Sequence, residues 1–208
     1  NYFSRRYQVV TYNARGYPPS DVPKDPDAYS QAQSVDDLCG LLDHLDIETA
    51  HVAGLSMGGS VALNFGITYP DRARALIVAG AGSGSSDPEA FRDRVNRLAE
   101  RMETEGMSGM DDFCRNPNRL PFLRKDPKGW QEMADGFKEH SPVGSANTFR
   151  KVQGLRASIF SLEDQLQNLT VPTLIMVGDE DEGCLDPGIF MKRKIPGAVR
   201  VRVDVDGS

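Results

Sequence analysis

No apolar run in this 208-residue chain approaches the roughly 18 residues that a membrane-crossing helix requires, so no membrane span is expected. Cysteine is scarce. Cys39, Cys114 and Cys184 are far apart and odd in number, which argues against a disulfide framework and for a reducing, cytoplasmic compartment. None of them shows CxxC or Cys/His spacing, and no cofactor motif is present, so neither a metal nor a cofactor is expected. Positive charge is also in deficit: 24 Lys and Arg against 30 Asp and Glu leave a net charge of −6. That balance carries no electrostatic footprint for nucleic acid or an acidic membrane, and Arg5-Arg6 and Lys192-Arg193-Lys194 are too short to reverse it. The opening NYFSRRYQVV has neither an apolar signal core nor an initiator methionine and reads as an internal stretch, so a missing leader there says little. Histidine occurs only as His44, His51 and His140, a shortage that matters below.

What is present describes a globular chain of one domain, or one domain with a sizeable insertion. Tyr7 to Tyr12 (YQVVTY) is rich in β-formers and precedes the turn-forming NARGYPPSDVP, which predicts a strand feeding a loop. Val35, Leu38, Leu41, Leu42 and Leu45 form the apolar stripe of a helix. Short apolar strands are expected at Ala50 to Ala53 and Ala75 to Ala79, with a helix from Val61 to Ile67 between them that Pro70 ends. This alternation implies an α/β fold, a mostly parallel sheet covered by helices on both faces.

Residues 87–169 break the rhythm and read as a helical insertion between two parts of one core, 1–86 and 170–208. Phe91, Val95, Leu98 and Met102 mark one helical face there, and Trp130, Met133, Ala134 and Phe137 a second. Ser141-Pro142 is a helix start, and Ser161 with Asp164 resembles a capping box. The sheet resumes at Val171 to Val177. Asp186-Pro187 then opens a helix ending near Lys194, and a last strand runs from Val199 to Val205.

The motif that carries chemistry is Gly54-Leu55-Ser56-Met57-Gly58, between the apolar strand and the helix. A serine hydroxyl attacks a carbonyl only when a base takes its proton, and a strained strand-to-helix turn presents it for that purpose. Gly54 and Gly58, lacking Cβ, are expected to let strand and helix approach closely. The amide of Met57, at the helix start, is the expected oxyanion-hole donor. The competing reading makes Ser56 an ordinary helix N-cap among packing glycines.

HVAGLSMGGSVALNFGITYPDRARALIVAGAG resembles the nucleophile-elbow region of the α/β-hydrolase fold family, and YQVVTYNARGYPPSDVP resembles an earlier strand and its Asp-x-Arg-Gly-x-Gly loop, with Asn13 and Pro18 departing from that pattern. VPTLIMVGDEDEGCLDPGIF resembles the strand and loop that present the family's acid. The resemblance implies that residues 87–169 form the cap or lid. It also implies that Asp181, fourth in Gly178-Asp179-Glu180-Asp181, is the acid that orients a histidine, with Asp87 a distant second. The family's histidine follows the last strand, yet none of the three histidines lies beyond Asp181. His51 begins the strand that Ser56 ends, His44 lies on the helix before it, and His140 lies in the insertion. The expectation is therefore that the base stands just past Ser208, and the second oxyanion donor ahead of Tyr7, so that this stretch alone is close to inactive.

With serine at the elbow, the resemblance implies acyl transfer to water from a small-molecule ester, lactone or thioester. Carbon–carbon hydrolases, perhydrolases and acyltransferases of the same fold remain open, as does a non-catalytic binding protein. Trp130, Phe122, Phe137, Met107, Met110 and Met133 either line an acyl pocket or, as favoured, pack the cap. Arg115, Arg119 and Arg124 either meet an anionic substrate or, as favoured, are surface residues.

Overall fold

The computed structural model describes residues 2–116 and 119–203. Its sheet has four parallel strands in the order β1 (Ala50–Leu55), β2 (Ala73–Ala79), β3 (Thr173–Gly178) and β4 (Val199–Val203) among the described residues. Gly54 pairs with Val78, Val78 with Ile175, and Ile175 with Arg200, so the strands end level with one another. The C-terminal ends of the strands therefore form one shelf, where ligands bind in open parallel sheets.

Helix α1 (Gln31–His44) starts where Ser30 accepts a hydrogen bond from the Gln33 amide, and it buries Val35, Leu38 and Leu42. Helix α2 (Met57–Thr68) is apolar along most of its length and buries Leu63 and Phe65 completely. Each such side chain contributes roughly 1.5–3 kcal/mol. Both helices, with α9 (Glu182–Lys194), enclose Val52, Leu76, Val78, Ile175 and Val177 in a single core.

Burial alternates along β2 and β3, as a pleat with period two requires. Leu76 and Val78 are buried, whereas Ala75 and Ile77 are half-buried and Ala53 is exposed. The face bearing Val52, Leu76, Val78, Ile175 and Val177 is the one packed with α1, α2 and α9.

Three local expectations are corrected. Tyr7 to Tyr12 forms no strand: these residues lie beside β1 without a ladder partner, and Tyr7, Val9, Val10 and Tyr12 are exposed. β-propensity makes a strand only where a neighbour supplies hydrogen bonds. Asp186-Pro187 does not open a helix, because α9 begins at Glu182 and holds Pro187 inside it. The ring of Pro187 is buried against Gly82, where an added Cβ would sit 2.4 Å from it. Ser161 does not cap α8 (Glu163–Gln167); its hydroxyl donates to the Ser158 carbonyl instead.

Every element described between residues 87 and 169 is helical. Helix α3 (Pro88–Glu105) packs Val95, Ala99 and Met102 against Met107, Met110, Ala146 and Phe149. Trp130 of α6 (Pro127–Lys138) packs with Cys114 and Ala134 and donates to the Cys114 carbonyl at 3.0 Å. Ser141 caps α7 (Pro142–Asn147) by accepting from the Gly144 amide. Trp130, Met107 and Met110 are buried among residues 87–169, while Phe122 is exposed.

Candidate active site

One residue, Ser56, separates β1 from α2. Its φ of 56° and ψ of −111° lie where a side chain costs on the order of 1–3 kcal/mol of backbone strain. The surroundings hold it there. Its N–H donates to the Ala79 carbonyl at 2.8 Å, and its carbonyl accepts from the Ser60 amide at 3.1 Å. The side chain remains exposed and makes no cap bond to α2, unlike those of Ser30 and Ser141 on their helices. The N-cap reading of this serine therefore fails.

The glycines around it divide differently from expectation. A Cβ on Gly54 would lie 2.0 Å from the Gly58 carbonyl oxygen, so only glycine lets the strand meet the helix backbone. A Cβ on Gly58 would meet nothing within 4 Å. The second glycine the elbow needs is Gly59, where a Cβ would stand 2.8 Å from the Ala79 oxygen and 3.1 Å from that of Gly54. Its only sequence signal was its place in the pair Gly58-Gly59. Met57 is the first residue of α2, and its amide has no carbonyl a turn earlier within the helix to bond. Leu55 is 73% exposed at the strand end, beside the serine.

Asp181 sits in the turn between β3 and α9, its N–H donating to the Gly178 carbonyl and its carbonyl accepting from the Cys184 amide at 2.8 Å. It occupies the N-cap position of α9, yet its carboxylate makes no cap bond. That carboxylate turns instead toward Gly80, the residue after β2: a Cβ there would stand 3.5 Å from Asp181 Oδ2 and 3.4 Å from Leu55 Cδ1. Ser56 is bonded to Ala79 and Asp181 faces Gly80, so both gather at the C-terminal end of β2. Asp87 is elsewhere, capping α3 through the Ala90 amide. Glu180 pairs with Arg124 at 3.4 Å on the surface. Arg115 lies over the Trp130 ring and Arg119 over that of Phe113.

The histidines have other surroundings. His51 is exposed at the start of β1 against Tyr7, and His44 is exposed in the last turn of α1. His140 stands edge-on to Tyr17 and Phe137, and burial lowers its pKa from the ordinary value. Cys184 is buried, and desolvation pushes its thiol up to about 11. Among the described residues no group of His, Cys, Asp or Glu is arranged to hold a metal ion. No described helix is long and apolar enough to cross a membrane.

A strand-to-helix turn bearing an outward hydroxyl, with a carboxylate across the shelf of a parallel sheet, defines a class of fold. The family model described as alpha/beta hydrolase fold matches residues 1–207, and the chain belongs to that family. A 2-hydroxy-6-oxononadienedioate/2-hydroxy-6-oxononatrienedioate hydrolase of Comamonas testosteroni is 42% identical over 199 residues, covering 92% of this chain and 67% of that protein. A 3-oxoadipate enol-lactonase of Acinetobacter baylyi is 26% identical over 181 residues, covering 86% of this chain and 64% of its own length. This chain thus spans somewhat under two thirds of that lactonase. Among solved structures, the enol-lactonase from Burkholderia xenovorans superposes with a TM-score of 0.82 at 26% identity, covering 97% of this chain and 74% of that one.

Proposed function

We propose that the protein containing this chain is a serine hydrolase that cleaves a small ester, lactone or thioester through an acyl-enzyme. The observation that carries the reading is Ser56, a non-glycine residue held at φ 56° with its side chain open to solvent. In this reading Ser56 Oγ attacks the carbonyl carbon while a histidine takes its proton. The Met57 amide stabilises the oxyanion, and collapse of the tetrahedral intermediate expels the leaving group, which the imidazolium protonates. Water then repeats the sequence and frees Ser56. Asp181 holds the imidazole in the right tautomer and stabilises its cation. The environments of His44, His51 and His140 fit none of them for that base. Residues 87–169 act as the cap that shapes the substrate space over Ser56. Being a hydrolase fits the activities for which the relatives are named, and three unpaired cysteines fit a reducing cytoplasm.

The test uses the full-length protein and a fluorophosphonate probe. Ser56 is expected to be the labelled residue, and Ser56→Ala to abolish labelling and turnover together; labelling that survives the substitution refutes the assignment. Asp181→Asn is expected to lower kcat by about 10³- to 10⁴-fold with the fold retained. Unaltered turnover in that variant places the acid elsewhere.

A further inference from the structure

The cap joins the core through two neighbouring segments, one leaving β2 and one returning toward β3. They are stapled across 73 or 74 residues of sequence: Ser158 Oγ donates to the Ser85 carbonyl at 2.9 Å, and the Ile159 amide donates to Ser85 Oγ at 3.1 Å. Arg156 lies in the same seam. Its Nη2 donates to the Ser83 carbonyl at 2.6 Å, its Nη1 to Gln153 Oε1 at 3.1 Å, and its guanidinium lies 5.1 Å from the Phe91 ring centre.

All these partners are neutral. No carboxylate pairs with Arg156 among the described residues, in contrast to Arg15, Arg72, Arg101 and Arg150. A guanidinium has five N–H donors, and the two bonds above leave the others open. Arg156 is half-buried, and partial desolvation lowers its pKa from the ordinary arginine value, with no counter-ion among the described residues. Beside it is a recess of about 20 Å³, room for about one water or one oxygen of an entering carboxylate. Its polar lining is Ser83, Ser85, Gln153, Arg156 and Ser158, with no acidic residue, and Phe91 closes one side.

The recess adjoins the acid's side of the shelf. Ser83 Oγ lies 3.4 Å from Cys184 Sγ, and the Cys184 amide bonds the Asp181 carbonyl. Ser83 is four residues past Ala79, the residue that bonds Ser56, so the two lie at most about 14 Å apart.

We propose that this recess is an anion subsite in which Arg156 binds a carboxylate carried by the substrate, remote from the carbonyl that Ser56 attacks. An arginine fork whose other bonds already fix its plane is suited to bidentate capture of a carboxylate. The substrate class is then an acyl compound with a second, ionised carboxyl group. This inference rests on the serine reading above and is tested separately from it.

The full-length enzyme is assayed with p-nitrophenyl half-esters of succinate, glutarate and adipate, and with neutral p-nitrophenyl butyrate. The wild type is expected to prefer at least one half-ester. Arg156→Gln should lower kcat/KM on it by about 10- to 100-fold, chiefly through KM, and leave butyrate within about twofold. Arg156→Lys should recover part of the loss. In the wild type, free glutarate should slow fluorophosphonate labelling of Ser56, which distinguishes a carboxylate reaching the catalytic shelf from inorganic phosphate that binds the recess alone and leaves labelling unchanged. Equal losses on charged and neutral esters, as a purely structural staple would give, overturn the proposal. So does a wild type that neither prefers half-esters nor is protected by glutarate. Normal labelling of Ser56 alongside either result removes only the subsite, whereas absence of labelling removes the serine reading itself.

Discussion

At the scale of single residues the elbow is a problem of missing atoms. Gly54 and Gly58 are equivalent in the motif and opposite in space, because one faces the helix backbone and the other faces open volume. Gly54→Ala is therefore expected to destabilise the protein by about 3 kcal/mol or more, since backbone would have to move to admit the methyl. Gly58→Ala should be neutral or slightly stabilising, as alanine favours a helical position over glycine by roughly 1 kcal/mol. Denaturant unfolding of the two variants checks the contrast, and equal losses would mean the turn is built otherwise. Gly59→Ala should behave like Gly54→Ala.

At the scale of elements, residues 87–169 hold apolar clusters of their own, while Ile159, Leu162, Leu166 and Leu169 pack into the sheet's core beside a seam of polar bonds. Ser85 is the centre of that seam, buried at 8% exposure and bonded through both its hydroxyl and its carbonyl. Ser85→Ala strands the buried Ile159 amide, for about 1–3 kcal/mol of lost stability. Hydrogen exchange should report faster opening at Ile159 than in β3, and unchanged protection at Ile159 would show that the hydroxyl bears no load. Helix α9 makes the related point that an element can keep a proline within it. Glycine at position 82, with φ of 122°, leaves the space that the ring of Pro187 fills.

For the whole molecule, the three thiols sort by burial. Cys39 is half-buried with Arg72 Nη1 at 3.4 Å from its sulfur, whereas Cys114 and Cys184 are buried and burial pushes both thiols up from their ordinary values. A neutral-pH titration with a disulfide reagent is expected to find one thiol reacting promptly in the folded protein and all three in denaturant. Cys39→Ser should remove the fast phase. Two fast thiols would mean that the packing around Cys114 or the turn before α9 opens readily, which the burial of both thiols argues against.

Local order was legible along the chain wherever a side-chain pattern alone decides it. Periodic leucines set α1, short apolar runs set β1 to β3, and Ser141-Pro142 starts a helix. Family membership was legible too, in the elbow and in the strand before Gly178. What the sequence left open depends on neighbours distant along the chain. Whether Tyr7 to Tyr12 pairs, which of three glycines the elbow needs, and where Pro187 falls are settled by what lies across the gap, not by the residues themselves. The approach of Ser56 and Asp181 to adjacent residues at the end of β2, and of Arg156 to Ser83, exists only once parallel strands align their ends, because backbone hydrogen bonding in the sheet sets that register.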